Sequence, residues 1–243
     1  MIEVNDLDVR FGGVKPIDGM TVSFPEGTCG LIGPNGAGKT TFFNVMSGFV
    51  KPSGGSVTAF GDDLLSMADF KRARWGLRRT FQTEQAIEEL SVAANVALAH
   101  EHSRQGGRAT RRDDVLGALR FVGLDDVDPD VQVGTLGARE RRLVEVARAV
   151  VGTPRIVLLD EPAAGLPDEE TEHLGRVIRA MPEHIGALVI LVDHDMSLVS
   201  ACCDVTAVLD FGKLIAAGPT AEVLRDEQVI RAYLGTEEVE QAA

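Results

Sequence analysis

The sequence is poor in cysteine, and its few cysteines are not spaced like a disulfide or metal site. Cys29, Cys202 and Cys203 are an odd number without paired spacing, which indicates reduced thiols. The adjacent Cys202 and Cys203 invite a metal or redox interpretation, but no His or further Cys lies close to them in the sequence. We therefore expect them to be small apolar residues near a helix end.

Positive charge is also scarce. The chain has 24 Lys and Arg against 37 Asp and Glu, a formal net charge of −13. Nucleic acid and anionic lipid are both bound by clustered cations. The composition therefore argues against a nucleic-acid partner. If the protein works at a membrane, another protein has to hold it there.

Long hydrophobic runs are missing as well. The first residues are acidic and lack an apolar segment, and no run approaches the roughly 20 apolar residues of a membrane span. We expect neither a signal peptide nor a transmembrane helix. A chain of 243 residues can nevertheless bury enough surface to fold without disulfides or metals.

Short strands alternate with helices along the chain, which indicates an α/β core with parallel strands. Strands are predicted at Ile2–Phe11, as an edge strand, and at residues 20–24, 28–32, 57–60, 156–161, 188–192, 205–209 and 213–217. Helices are predicted at residues 42–49, 92–102, 114–122, 139–151, 169–181 and 219–234. We expect a single domain over residues 1–243, with a helical subdomain inserted at about 67–152 and an exposed loop at 103–112.

A glycine-rich loop follows the strand at 28–32 and precedes a helix. It matches G-x-x-x-x-G-K-[ST] at every fixed position, and its residues are Gly33, Pro34, Asn35, Gly36, Ala37, Gly38, Lys39, Thr40 and Thr41. Glycines allow the backbone N–H groups to wrap a phosphate, and the helix N-terminus adds positive potential. We expect ATP here, with Lys39 on the phosphates and the Thr40 hydroxyl on Mg²⁺.

Two carboxylates end the strand at 156–161. In a P-loop site, Asp160 would hold Mg²⁺ and Glu161 would act as general base for the attacking water. The alternative is a pair of solvated carboxylates at a strand end. The upstream phosphate loop favours the catalytic interpretation.

Three further motifs resemble those of ABC transporter ATP-binding subunits, and the resemblance covers essentially the whole chain. It implies that Phe11 stacks on adenine, that Gln82 helps to position Mg²⁺ and water, and that His194 contacts the γ-phosphate. Taken singly, Phe11 could be an ordinary core aromatic and His194 a structural histidine. The order of the motifs favours the functional roles. The resemblance also implies a P-loop NTPase core of mainly parallel sheet with an antiparallel β subdomain and the inserted helical subdomain.

Within that family the chain is most similar to LivG-type branched-chain amino-acid importer subunits. The likeness lies in residues 43–49, 79–82, 161–166, 209–215 and 229–235. Urea and amide importers look similar. The resemblance therefore implies an importer of branched-chain amino acids or related small polar solutes.

The signature that should read approximately Leu-Ser-Gly-Gly-Gln departs from the family. Its residues here are Leu136, Gly137, Ala138, Arg139 and Glu140. In the family this motif closes over ATP bound to the opposite subunit. A side chain at Arg139 obstructs close backbone approach, and Glu140 brings negative charge toward phosphate, which the Arg139 guanidinium could offset. Pro167 likewise replaces a polar residue in a loop that the family presents across the dimer.

These departures fall on the surface that serves the partner's ATP, whereas the motifs that bind the chain's own ATP are intact. We hypothesise an asymmetric heterodimer in which one site turns over slowly. The alternative is that the substitutions are tolerated and both sites work, in a heterodimer or a homodimer.

The resemblance implies a cytoplasmic subunit, held on the inner face of the plasma membrane by transmembrane permease subunits. A second ATPase subunit and, indirectly, a periplasmic or extracellular substrate-binding protein are its other expected partners. A soluble ABC ATPase, for example in Fe–S assembly, is the alternative, and the signature region and His194 argue against a P-loop kinase. A basic cluster, Lys71, Arg72, Arg74, Arg78 and Arg79, is predicted to be a solvated helix face or, alternatively, a permease contact.

Overall fold

The computed structural model describes residues 1–101 and 112–240, with residues 234–240 described by their backbone alone. Most of the loop predicted at 103–112 therefore lies outside the described residues. By their contacts the residues divide into two units, residues 1–72 with 190–243 and residues 73–189.

The strands and helices follow one another largely as predicted. The strands are β1 (Ile2–Phe11), β2 (Val14–Phe24), β3 (Thr28–Ile32), β4 (Gly54–Ala59), β5 (Asp62–Asp63), β6 (Leu77–Arg79), β7 (Ile156–Asp160), β8 (Leu188–Val192), β9 (Val205–Asp210) and β10 (Lys213–Pro219). The helices are α1 (Lys39–Ser47), α2 (Asp69–Trp75), α3 (Val92–Glu101), α4 (Arg112–Val122), α5 (Ala138–Val150), α6 (Asp168–Ile185), α7 (Met196–Cys202), α8 (Thr220–Val223) and α9 (Glu227–Glu240). The boundary between the units falls within α2 and within β8.

The first unit contains an antiparallel sheet in the order β2-β1-β4-β5. β1 pairs on both sides, with Ile2 opposite Phe24 of β2 and Ala59 of β4. The prediction that β1 is an edge strand was therefore wrong. Buried and exposed residues alternate along β1 because one face of the sheet is packed and the other is exposed. A central strand of such a sheet shows the same alternation as an edge strand, so the pattern does not distinguish the two.

The same unit contains β3, which is buried along its whole length and pairs in parallel with β9. β9 and β10 form the predicted hairpin. The single closing helix predicted at 219–234 is instead two helices, α8 and α9. The Asp226 side chain accepts a hydrogen bond of 2.7 Å from the Gln228 N–H, which favours a new helix start in the manner of an N-cap.

In the second unit β6 pairs in parallel with β7, with Arg79 opposite Leu158. β6 was not predicted because it is three residues long and two of them are arginines. Helices α3, α4 and α5 pack against one another. The bounds of the predicted helical subdomain, about 67–152, remain a prediction.

The basic cluster is not a solvated helix face as a whole. Lys71 and Arg74 are exposed, but Arg72 is buried and donates hydrogen bonds to the carbonyl oxygens of Val45 and Met46 at 2.5 and 2.8 Å. Burial lowers the pKa of Arg72, and the nearby carboxylates oppose this shift. Arg72 therefore satisfies the last turn of α1, and that part of the prediction was wrong because sequence alone did not show the carbonyls it reaches.

The cysteines behave as small apolar residues. All three are buried, and Cys202 lies in the last turn of α7. Burial raises the pKa of the Cys29 thiol to about 12, and a hydrogen bond that the Cys203 thiol donates to Cys202, together with burial, raises the pKa of Cys203. Among the described residues, no helix is both long and apolar enough to span a membrane.

Candidate active site

The glycine-rich loop of the first unit connects β3 to α1 and can be built only with glycine at two of its positions. Gly33 and Gly38 have φ angles of 150° and 110°. A Cβ on Gly33 would lie 2.1 Å from the Leu209 carbonyl oxygen, and one on Gly38 would lie 2.2 Å from that of Pro16. Both obstacles are backbone atoms, so no side-chain movement could relieve the overlap.

Lys39 lies inside the loop. Its side chain is buried, and its ammonium donates hydrogen bonds to the carbonyl oxygens of Gly33 and Pro34 at 2.5 and 3.0 Å. The loop is thus curled around a positive charge. Because α1 begins at Lys39, this charge lies where the positive end of the helix dipole also acts.

The start of α1 has the properties of an anion site. Its N-cap, Gly38, has no capping side chain, and the first turn contains no acidic residue. Thr40 is exposed and Thr41 half-buried. The first N–H groups of a helix have no partner within the helix, so a phosphate placed here would satisfy them.

Contacts from later in the chain hold the loop in place. The Gly212 N–H donates to the Ala37 carbonyl oxygen at 3.0 Å, and the Gly212 carbonyl accepts from the Asp18 N–H at 2.9 Å. Tyr233 of α9 lies beside Gly33: burial raises the pKa of this tyrosine to about 12, and the nearby Gly33 backbone opposes the shift. The contacts of Gly212 and Tyr233 with the phosphate loop were not predicted, because no local sequence pattern indicates that residues so far apart in the chain lie close together.

Phe11 lies at the end of β1, opposite Val14 where β1 turns into β2. Its side chain is 53% exposed, so it is not an ordinary core aromatic. An exposed ring at a strand end can stack on a planar ligand. Its proposed role on adenine is compatible with this position.

His194 follows β8 on a short, well-braced loop. The Asp193 side chain is buried and accepts a hydrogen bond from the Asp195 N–H at 3.0 Å, and Asp195 caps α7. His194 itself is exposed. The loop therefore presents the imidazole at the surface instead of packing it in the core.

In the second unit, β7 ends in the two predicted carboxylates. Asp160 is 4% exposed, and its Oδ2 accepts a hydrogen bond from Arg79 Nη2 at 2.8 Å. The Asp160 N–H donates to the Thr80 hydroxyl at 3.1 Å. Asp160 is therefore not a solvated carboxylate. Sequence reasoning named Arg79 as a member of a basic cluster and of the segment 79–82, and it missed this partnership.

Glu161 and Gln82, separated by 79 positions, come together. The Gln82 side-chain amide donates to Glu161 Oε2 at 2.6 Å. Glu161 also has a φ angle of 48°, a left-handed conformation that costs energy for a residue with a side chain. Such strain is concentrated at functional sites, and here it accompanies the predicted general base.

The signature segment stands at the start of α5, with Gly137 as the N-cap. The carboxylate of Glu140 folds back toward it, and a Cβ on Gly137 would lie 2.6 Å from Glu140 Oε2. Arg139 and Glu140 are half-buried, and Pro167 immediately precedes α6. The N-terminus of α5 therefore has a carboxylate of its own first turn beside it.

Charged residues of α5 hold the segment that contains Gln82. Arg142 donates to the Phe81 carbonyl at 3.4 Å and to Glu145 at 3.0 Å, and Glu145 accepts from the Gln85 N–H. Burial raises the pKa of Glu145, and the Gln85 and Arg142 contacts oppose the shift. Glu145 was missed, although a single carboxylate between Val144 and Val146 in an apolar stretch is a usable signal.

Comparison with known families decides the identity. The family profile described as "ABC transporter" matches residues 17–164, more than half of the chain. The chain is an ABC transporter ATPase. A second profile, "Branched-chain amino acid ATP-binding cassette transporter", matches residues 213–239 of this ATPase.

Relatives of the ABC ATPase match over nearly the whole length. The high-affinity branched-chain amino acid transport ATP-binding protein LivG of Escherichia coli K12 is 34% identical, covering 97% of this chain and 98% of the relative. BraF of Pseudomonas aeruginosa is also 34% identical with the same coverage, and LivG of Salmonella typhimurium is 36% identical.

Solved structures share the fold. The ADP conformation of MJ1267, an ATP-binding cassette of an ABC transporter, superposes with a TM-score of 0.84 at 26% identity, covering 97% of this chain and 98% of that one. The P-loop α/β core, the antiparallel sheet and the helices predicted from the sequence are therefore confirmed as the cassette fold, and ATP binding and hydrolysis as the family's activity.

Proposed function

We propose that this chain is the ATP-hydrolysing subunit of an importer of branched-chain amino acids or related small polar solutes. The observation that carries the proposal is the match, over 97% of the chain and 98% of the relative, to ATPases named for branched-chain amino acid transport. The intact phosphate loop and the paired Gln82 and Glu161 support it, since they are the parts that ATP hydrolysis needs.

The phosphate loop binds and orients ATP. Backbone N–H groups at the start of α1 donate to the phosphates, and Lys39 exchanges its carbonyl partners at Gly33 and Pro34 for β- and γ-phosphate oxygens. Phe11 stacks on adenine. The binding energy therefore comes from groups that the fold has already arranged, which limits the ordering cost.

Glu161 accepts a proton from the attacking water. Its hydrogen bond with Gln82 orients the carboxylate, and its backbone strain indicates that the surrounding structure fixes its position. His194, presented on its braced loop, contacts the γ-phosphate. Loss of that phosphate on hydrolysis would remove the contact and release the loop, as in other nucleotide switches.

The residues present suit Mg²⁺. The candidate ligands, the Thr40 hydroxyl, the Asp160 carboxylate and the Gln82 amide, all offer oxygen. Mg²⁺ is typically held by one or two carboxylates together with phosphates and water. When bound, it would supply charge neutralisation of the phosphates.

The partners follow from where the motifs stand. A second ATPase subunit supplies the signature that closes over ATP on this chain, and permease subunits hold both at the inner face of the membrane. The segment containing Gln82 contacts the permease, and the hydrogen bonds from α5 tie that segment to the signature helix. A substrate-binding protein acts through the permease.

The two ATP sites of such a dimer are unequal. ATP on the partner meets Glu140, whose carboxylate folds back toward the start of α5, where the family offers a serine hydroxyl and N–H groups. A negative charge there repels the γ-phosphate. ATP bound by this chain's own loop is closed by the partner's signature and turns over normally.

The transport proposal is tested by uptake in cells that carry Lys39→Ala. We expect labelled leucine, isoleucine and valine uptake to fall by at least about tenfold, since one lost charged contact is worth more than 1.4 kcal/mol. Lys51→Ala, an exposed lysine after α1, is the matched control. Loss of urea or amide uptake alone would place the solute in another class. Unchanged uptake without a co-purifying membrane protein would favour a soluble role.

The asymmetry is tested by ATPase turnover of the assembled dimer. Lys39→Ala in this chain alone should abolish nearly all activity if only one site is competent. If about half the activity survives, the segment from Gly137 to Glu140 is a working signature and the sites are equal.

A further inference from the structure

Arg79 and Asp160 form a buried ion pair at the ends of two neighbouring parallel strands. The guanidinium Nη2 lies 2.8 Å from Asp160 Oδ2, and both side chains are only 5% exposed. β6 and β7 bring them together across 81 positions of sequence. The pair joins the carboxylate proposed for Mg²⁺ to the strand that leads into Gln82.

The position of the Arg79 side chain is fixed from a second direction. Its guanidinium carbon lies 4.9 Å from the centre of the Phe81 ring, so the cation stacks over the residue that precedes Gln82. Among the described residues, the adjacent Arg78 contacts no carboxylate. It donates to the carbonyl oxygens of Ala73 and Leu77 at 2.8 and 3.3 Å. The two neighbouring arginines therefore do different things.

A carboxylate buried to this degree is costly without a counter-charge. When no metal is bound, a guanidinium at 2.8 Å supplies that charge. When a metal is bound, two cations would share one carboxylate, and each weakens the other's attraction to it. An arginine at this place therefore opposes metal binding while it stabilises the metal-free protein.

We propose that Arg79 is a positioning residue that serves as the resident counter-charge of Asp160, and that it competes with Mg²⁺ for this carboxylate and so sets the metal concentration at which nucleotide binds. The proposal rests on the proposed function, because it takes Asp160 as a metal ligand. Its consequence is a site that stays folded without metal and closes on nucleotide only when Mg²⁺ displaces or outweighs the guanidinium.

The test measures binding of a fluorescent ATP analogue against Mg²⁺ concentration in a Glu161→Gln background, where hydrolysis does not interfere. Arg79→Met should lower the Mg²⁺ concentration for half-maximal binding by at least about fivefold, because fivefold is the effect of one nearby charge in water and this pair is buried. It should also lower the thermal unfolding midpoint measured without metal. Arg79→Lys keeps the charge but not the planar stacking on Phe81, so its Mg²⁺ midpoint should lie closer to the parent's than that of Arg79→Met.

Arg78→Met is the matched control, since it removes the guanidinium of the neighbouring residue, which in the described part of the chain bonds to carbonyl oxygens and to no carboxylate. An Arg79→Met midpoint that is no lower than that of Arg78→Met, or that is higher than the parent's, overturns the proposal. If Arg79→Met does not fold alone, it is combined with Asp160→Asn. A counter-charge role requires that the double variant unfold at a higher temperature than Arg79→Met, because no unpaired buried charge remains. If the double variant is no more stable than Arg79→Met, the counter-charge role is contradicted.

Asp160→Asn alone separates the two levels of the argument. If it leaves the Mg²⁺ dependence of nucleotide binding unchanged, Asp160 is not a metal ligand, and the metal site given under the proposed function is wrong. If it raises the Mg²⁺ requirement while Arg79→Met has no effect beyond that of Arg78→Met, only the inference about Arg79 fails.

Discussion

The phosphate loop and the signature segment both place glycine at the N-cap of a helix, but for different physical reasons. At Gly38 an added Cβ would meet a backbone oxygen 2.2 Å away, whereas at Gly137 it would meet Oε2 of the flexible Glu140 side chain at 2.6 Å. Gly38 also has a φ of 110°, whereas Gly137 has an ordinary φ of −68°. Glycine is thus required at Gly38 by the surrounding backbone, whereas at Gly137 only a movable side chain stands in the way of a larger residue.

This difference makes substitution more costly in the phosphate loop than in the signature segment. A substitution in the loop would disrupt the fold around it, so the loop keeps its glycines. A side chain at Gly137 would meet the carboxylate end of Glu140, which can move aside. The comparison suggests that the signature could be restored by a few changes, while the loop tolerates almost none.

The largest expected effect comes from Gly38→Ala. The new Cβ would collide with the Pro16 carbonyl in a left-handed conformation, so we expect a loss of at least about 3 kcal/mol in the free energy of unfolding and loss of ATP binding. Gly36→Ala is the control, since it also has a positive φ but has nothing within 4 Å. Urea unfolding and nucleotide titration check this. Equal losses in the two variants would mean that backbone conformation alone, without the collision, decides.

Arg72→Met tests the opposite end of α1. The guanidinium satisfies two buried carbonyl oxygens, at Val45 and Met46, so its loss should lower the free energy of unfolding by about 2 kcal/mol. Lys71→Met, on an exposed neighbour, should change it by less than about 0.5 kcal/mol. Chemical denaturation of both variants makes the comparison. If Lys71→Met lowers the free energy of unfolding as much as Arg72→Met does, the two residues play the same part and the carbonyl contacts of Arg72 do not distinguish it.

Glu140→Gln tests the signature directly. Removing one charge near the partner's γ-phosphate should raise ATPase turnover of the assembled dimer about two- to fivefold. Glu169→Gln, on an exposed carboxylate in the first turn of α6, is the control. Turnover is measured with Lys39→Ala present in this chain, so that only the partner's ATP contributes. Unchanged turnover would show that the Glu140 charge does not slow hydrolysis of the partner's ATP.

The smallest expected effect is a pH dependence at Glu145. Because burial raises its pKa above that of the unfolded chain, the folded protein holds this proton more tightly, and stability falls as the pH rises from the unfolded pKa through the folded one. Glu145→Gln removes the titration. The free energy of unfolding of the variant relative to the parent should therefore increase over that pH interval and then stay level. A constant difference across the interval would contradict the raised pKa.

Much of the site could be predicted because its signals are local. The loop spacing predicted the turn, the buried strand before it and the helix after it, and strand ends marked Asp160 and His194. The pairing of Gln82 with Glu161 was anticipated only as proximity to one site. Local pattern could not predict the Arg79–Asp160 pair or the Gly212 clamp, because each joins residues that the fold alone brings together.

The errors have the same origin. Whether β1 is an edge or a central strand depends on β4, which pairs with it from more than 40 positions away. Whether Arg72 is solvated depends on the carbonyls at the end of α1. In both cases the local sequence pattern was described correctly. Neighbours in space, which the pattern does not reveal, determined the position of β1 in the sheet and the burial of Arg72.

The aromatic content has a practical consequence. The only tryptophan, Trp75, has the Arg155 guanidinium 4.1 Å from its ring centre in the second unit, and the only tyrosine, Tyr233, touches the phosphate loop in the first. Each unit therefore carries its own optical reporter, and neither needs a label. Tryptophan emission excited at the red edge follows one unit, and the tyrosine absorbance difference follows the other, so nucleotide-driven changes in the two can be timed separately in the unmodified protein.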